Sequence, residues 1–267
     1  MLIIHFLSFL PLAQMDYYHM SSAYQHGSSG YMPAYDTYTL FGLGLLVLMG
    51  IFGSVVQSRM MSRMRQYSAE PARLSGAQVA RKMLDSYGLY DVEITHVRGQ
   101  LTDHYNPANR TVNLSDTVYS EASVAAAAVA AHECGHAVQH AKAYPWLGLR
   151  SSLVPLVNIG SRLGQLLLIV GLALAAAGSG TTVAWVGLAL FGCTTLFALV
   201  TLPVEFDASR RALAWLSKSD EVSPVMHAHA TSALRWAAMT YVAAALSSIA
   251  MLLYYALMLL NRGNSRD

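Results

Sequence analysis

The sequence predicts a mainly α-helical, polytopic membrane protein: four transmembrane helices, with a small α+β unit between the first two. Three observations predict it. Only 12% of the 267 residues are charged and 54% are hydrophobic, against about 25% charged in an ordinary soluble domain. The uncharged residues are gathered into blocks long enough to cross a bilayer. One charged stretch, 59–152, instead carries strand alternation and amphipathic helix patterns.

Composition also excludes classes. A formal net charge of +2 leaves no concentrated basic face for phosphates, so no nucleic-acid partner is expected. Two cysteines, Cys134 and Cys193, give neither a disulfide framework nor a four-cysteine zinc knuckle.

Residues 1–36 open with MLIIHFLSFLPLA, which has the apolar character of a signal segment but no Lys or Arg before it and no clear small-x-small cleavage site. They are read as an extracytoplasmic tail without a core of its own. Residues 37–58 are 22 uncharged residues between Asp36 and Arg59, enough at about 1.5 Å per residue for the roughly 30 Å hydrocarbon layer. Another 42 uncharged residues lie between Arg162 and Glu205, broken by Gly178-Ser179-Gly180-Thr181-Thr182. They read as a hairpin of two crossings over 153–203. Trp236 to Leu260 supplies 25 more, for a fourth crossing at 237–260 and a short tail at 261–267.

Ten Lys and Arg lie in 58–152 and four in 204–236, with none before residue 39. The positive-inside rule places both basic segments in the cytoplasm and both termini outside. Arg262 and Arg266 oppose this assignment but are outnumbered.

Within 59–152, Ser75 is a candidate N-cap for a helix with Val79, Met83, Leu84 and Tyr87 at helical spacing, and Gly88 suits its end. Val92 to Val97 alternates. Leu101–Tyr105 and Thr111–Ser115 read as a hairpin turned by Asn106-Pro107-Ala108-Asn109. Ser120-Glu121 is the expected cap of the long run ASVAAAAVAAHECGHAVQHAKAY, apolar on nearly every face up to Ala131 and therefore a buried helix.

That helix carries His132-Glu133-Cys134-Gly135-His136, an HExxH motif. Histidines at i and i+4 are about 40° apart around a helix, so both imidazoles reach one metal at roughly 2.0–2.1 Å. Glu133, from the neighbouring position, is placed to take a proton from an attacking water. Zinc is the expected cofactor, and hydrolysis of an amide bond the expected reaction.

An open catalytic site needs a third protein ligand. The longer HExxHxxGxxH pattern fails, because Gln139 and Lys142 stand where Gly and His are required. His140 lies about 80° round the helix from His132 and reads as a supporting or surface residue. Downstream, Leu202-Pro203-Val204-Glu205-Phe206-Asp207-Ala208-Ser209-Arg210-Arg211 returns to the cytoplasmic face just after the third crossing. Glu205 is the chosen ligand, with Asp207 the alternative. Asp207, Arg210 and Arg211 are candidates to orient ligands or stabilise charge.

The strings LTDHYNP, VNLSDTVY, VAAHECGHAVQHA, LPVEFDASRRAL and MTYVAAAL, in this order between hydrophobic segments, resemble the YugP-type neutral zinc metallopeptidases of bacterial membranes, from about Tyr35 to Leu260. The resemblance implies a zincin-like unit, Zn2+ on His132 and His136, and Glu133 as catalytic base. Similarity to HtpX-like and CAAX-prenyl-protease-like membrane enzymes implies a downstream Glu, matching Glu205. Those enzymes carry an acid four residues after that Glu, where this chain has Ser209.

The function expected is therefore a membrane-embedded zinc metallopeptidase of the bacterial cytoplasmic membrane, multi-pass, with its active site facing the cytoplasm. Its partners would be the lipid bilayer and a peptide or membrane-protein substrate lying along a strand edge. The alternatives are a non-catalytic, zinc-stabilised membrane scaffold and a zinc hydrolase of a small amide. Three further features carry expectations of their own. Asn158, Arg162 and Gln165 form a polar stripe on the second crossing, either snorkelling or lining a cleft with Arg162 near Glu205 or Asp207. His104 and Tyr105 precede the active helix and are left out of the catalytic set. His227 and His229, at i and i+2, point to different faces and read as surface residues.

Overall fold

The computed structural model describes residues 37–219 and 222–264; the tail expected at 1–36 lies outside them. Its elements, in chain order, are α1 (Thr37–Ser68), α2 (Gly76–Ser86), β1 (Glu93–Val97), β2 (His104–Asn106), β3 (Thr111–Ser115), α3 (Asp116–Ser120), α4 (Val124–Ala141), α5 (Pro145–Ala176), α6 (Thr182–Leu216) and α7 (Pro224–Asn264). The chain is a mainly helical membrane protein with a three-stranded sheet. Among the described residues, four helices are long and apolar enough to cross a membrane, over Leu40–Ser68, Pro145–Ala176, Thr182–Leu216 and Pro224–Asn261.

All four outrun the crossings read from the uncharged blocks, and all do so at their basic ends. At about 1.5 Å per residue, the 29 residues of the shortest span reach well past a hydrocarbon layer of roughly 30 Å. The reason is packing. Ala212 and Leu216 of α6 and Ala230, Ala233 and Leu234 of α7 join one core with Met83 and Leu84 of α2, Val112 and Leu114 of β3, and the alanines of α4. Stopping α6 at Pro203 would strand these side chains, each large one stabilising the fold by about 1.5–3 kcal/mol when fully buried. Pro203 therefore sits inside the helix rather than ending it. The helix of the third crossing, expected to end at residue 203, thus continues to Leu216.

Local signals act as the sequence suggests in α2. Ser75 and Gln78 form a reciprocal capping box, and Gly88 takes φ +72°, the left-handed geometry that glycine accommodates after a helix. At α4 the cap differs from expectation. Ser120 ends the short α3, and Ser123 instead caps α4 by accepting from Ala126 N at 3.2 Å.

The sheet has the order β1-β3-β2, with β1 parallel and β2 antiparallel to β3. The predicted hairpin is β2–β3, with Tyr105 opposite Val112. Thus β2 is an edge strand.

Candidate metal centre

The buried middle of α4 points His132 and His136 toward α6. The rings meet edge to face with centroids 4.8 Å apart. From α6, Glu205 Oε2 lies 3.2 Å from His132 Nε2 and 3.7 Å from His136 Nε2. One ligand atom from each of these three residues lies within 4.8 Å of the others, and the 3.2 and 3.7 Å separations from Glu205 are ones that donors about 2 Å from a common ion can have. Glu205 rises from a continuous helix, not a loop, and is only 2% exposed.

Close approach of α4 and α6 makes this possible. A Cβ on Gly135 would stand 2.6 Å from Ala208 O, so the glycine between the two histidines is the surface on which α6 rests. Ala208 is one helical turn after Glu205, and the same contact that seats it brings the carboxylate to the imidazoles.

Each donor has a partner behind it. Glu205 Oε1 accepts from Arg150 Nη1 at 3.0 Å, leaving Oε2 for the histidines. His136 Nδ1 lies 3.0 Å from Gln139 Oε1. His132 Nδ1 lies 3.1 Å from Ser209 Oγ. Burial disfavours a charged His136 imidazole, but the facing Glu205 carboxylate outweighs it and holds the histidine's pKa above its ordinary value. Neutral imidazole nitrogens, a carboxylate and supporting hydrogen bonds are the donor set that suits zinc.

Glu133 is buried, and its Oε2 accepts from the Tyr105 backbone N–H at 3.0 Å. In an antiparallel pair, N–H groups point alternately toward and away from the partner strand. Since the Tyr105 amide faces Glu133, it points off the free edge of β2. Strand edge and carboxylate thus share one side of the site. Tyr105 Oη also hydrogen-bonds His140 Nδ1 at 2.8 Å, which places the exposed His140 beside the strand.

The structure sorts the remaining expectations. Asp207 does not join the three donors; it accepts from Gln139 at 2.9 Å and from Arg211 Nε at 2.6 Å, with Arg210 at 3.8 Å. Arg162 and Asn158 are exposed, and the cation at Glu205 is Arg150. His227 and His229 lie half-buried at the surface, each with a partner: His227 bonds Leu213 O at 3.1 Å, while His229 pairs with Glu70 at 2.6 Å and stacks on Tyr67.

Sequence reasoning missed Arg150 because it ended the soluble segment at 152. Pro145, at the first position of α5, is the signal that places Arg150 on the second crossing helix. Tyr241 was also missed; from α7 it faces Glu205, Arg150 and Glu133, and no spacing rule ties it to the motif.

Two helix histidines and a glutamate from a second helix form the three-donor set, and the motif's own glutamate stands beside them at a strand edge, as in HExxH metal sites. The chain belongs to the family described as "Putative neutral zinc metallopeptidase", whose profile matches residues 42–260. It is 41% identical over 207 residues to the "Putative membrane protease YugP" of Bacillus subtilis (strain 168), covering 77% of this chain and 90% of that protein. No solved structure gives a significant match.

Proposed function

We propose that this chain is a zinc-dependent peptidase of the bacterial cytoplasmic membrane, hydrolysing peptide bonds at the inner face. The observation that carries the reading is the convergence of His132, His136 and Glu205 within 4.8 Å, beside a glutamate anchored to the edge of β2. The family description and the name of the Bacillus relative support it.

A zinc ion held by the three donors would acidify a water and polarise the scissile carbonyl. The protein's own residues do the rest. Glu133 accepts a proton from the attacking water and passes it to the departing amine nitrogen. Tyr105 N–H keeps that carboxylate pointed into the site. The free edge of β2 offers main-chain groups to an extended substrate, which is how a strand edge holds a peptide regardless of its sequence. Arg150 keeps Glu205 turned so that one oxygen faces the histidines. The basic ends of α1, α5, α6 and α7 all lie on the side of the site, and by the positive-inside rule that side is cytoplasmic.

The test is made on purified full-length protein in detergent. Glu133→Gln is expected to keep stoichiometric zinc and lose peptide cleavage, while His136→Ala and Glu205→Ala lose the metal. Cleavage that survives Glu133→Gln would overturn the peptidase reading. Cleavage confined to small amides, with no peptide in a library cut, would replace it with a small-amide hydrolase.

A further inference from the structure

We infer that Gln139, held by Asp207, is a positioning residue that fixes the tautomer of His136 and so presents its Nε2 lone pair to the metal. This rests on the zinc site proposed above.

Gln139 is fully buried, so each polar atom of its side chain needs a partner within the protein. Its Nε2 lies 2.8 Å from Val204 O and 2.9 Å from Asp207 Oδ2. The first is a backbone carbonyl. The second is a carboxylate already accepting from Arg211 Nε at 2.6 Å. Both only accept, so the amide must turn its NH2 toward them. That leaves Oε1, an acceptor, facing His136 Nδ1 at 3.0 Å. The proton of a neutral His136 therefore sits on Nδ1, and Nε2, the nitrogen facing Glu205, carries the lone pair.

Arg211, Asp207, Gln139 and His136 thus form a chain, with Val204 O a second acceptor that holds the Gln139 amide in the same sense. His132 has no equivalent. Its Nδ1 meets Ser209 Oγ at 3.1 Å, and a hydroxyl both donates and accepts, so it accommodates either tautomer. The acid that the similar enzymes place four residues after the ligand Glu is absent, and Asp207 acts instead on the other histidine, through an amide.

Zinc affinity, measured by competition with a chromophoric chelator on the full-length protein, tests this. Gln139→Leu keeps a side chain of similar bulk and removes the polar atoms; it is expected to weaken zinc binding about 10- to 100-fold. Gln139→Glu sets two carboxylates face to face and is expected to weaken binding as well. Adding Asp207→Asn to Gln139→Glu restores a donor opposite the new carboxylate, and affinity should recover several-fold over the single variant. A packing role predicts the reverse: Gln139→Leu is the mildest change, and the double variant is no better than Gln139→Glu. That outcome, or unchanged affinity in Gln139→Leu, overturns the inference. Cobalt(II) absorption of Gln139→Glu/Asp207→Asn, compared with wild type, checks that the recovered ion has its original ligands; a different spectrum also counts against the chain. Wild-type protein that binds no zinc would instead sink the metal site itself.

Discussion

Arg150 donates to Glu205 across 55 positions of sequence, Nη1 to Oε1 at 3.0 Å, and it does so where the glutamate side chain is only 3% exposed. A buried carboxylate deprived of its cation keeps the desolvation cost and loses the compensation. Arg150→Met is therefore expected to destabilise the zinc-free protein by about 1–3 kcal/mol, the lower range because the arginine itself is partly exposed. Zinc brings its own positive charge, so it should raise the melting temperature of the variant more than that of wild type. Equal melting of the two zinc-free proteins would show that the pair contributes nothing.

Gly135→Ala probes the contact between α4 and α6. The new methyl would stand 2.6 Å from a backbone oxygen, so the helices must separate rather than a side chain turn. Overpacking of this kind costs about 1–3 kcal/mol. The larger effect should be on metal: withdrawing α6 takes Glu205 away from the imidazoles, and zinc content per chain should fall well below one. A stoichiometric zinc complex in this variant would contradict the geometry.

Tyr105 contributes through its backbone. Because its N–H points off the sheet edge toward Glu133, proline at 105 removes no bond to β3, and edge strands tolerate proline in that setting. Tyr105→Pro is expected to keep zinc while turnover of a peptide substrate falls about 10- to 100-fold. Tyr105→Phe, which loses the hydroxyl's bonds to His140 and Arg110 but keeps the amide, should stay close to wild type. Equal turnover in the two variants would remove the amide from the mechanism.

Cys134 lies inside the motif yet is completely buried. Burial pushes its thiol well above the usual cysteine range, and the neighbouring Glu133 charge adds to this. It stays protonated at neutral pH, and thiolate is the reactive form. N-ethylmaleimide should leave Cys134 unlabelled in the folded protein and label it after denaturation, as read by peptide mass spectrometry. Rapid labelling of the native chain would mean that the helix is open.

Much of this was legible along the chain because it depends on near neighbours. HExxH places two imidazoles on one helix face by helix geometry alone, and the Ser75 capping box is a four-residue pattern. Glu205 was within reach of reasoning because it is one of few acids beside a crossing. The helix ends were not legible in the same way. Loss of hydrophobic character marks where a helix leaves lipid, not where it stops, and α6 continues because Ala208, Ala212 and Leu216 find a protein core there.

The sequence by itself determined the membrane helices and the pairing of two imidazoles on one helix face, since uncharged length and i, i+4 spacing are properties of a local stretch. Only the tertiary structure decided which groups from other elements stand behind the site: Arg150 at Glu205, Asp207 behind the Gln139 that follows His136 on α4, Ser209 at His132, and the Tyr105 amide at Glu133. Those partners come from separate elements, α5, α6 and β2. Their meeting depends on how closely two helices approach at a glycine and which way a strand edge faces, and neither quantity is encoded by neighbours in the chain.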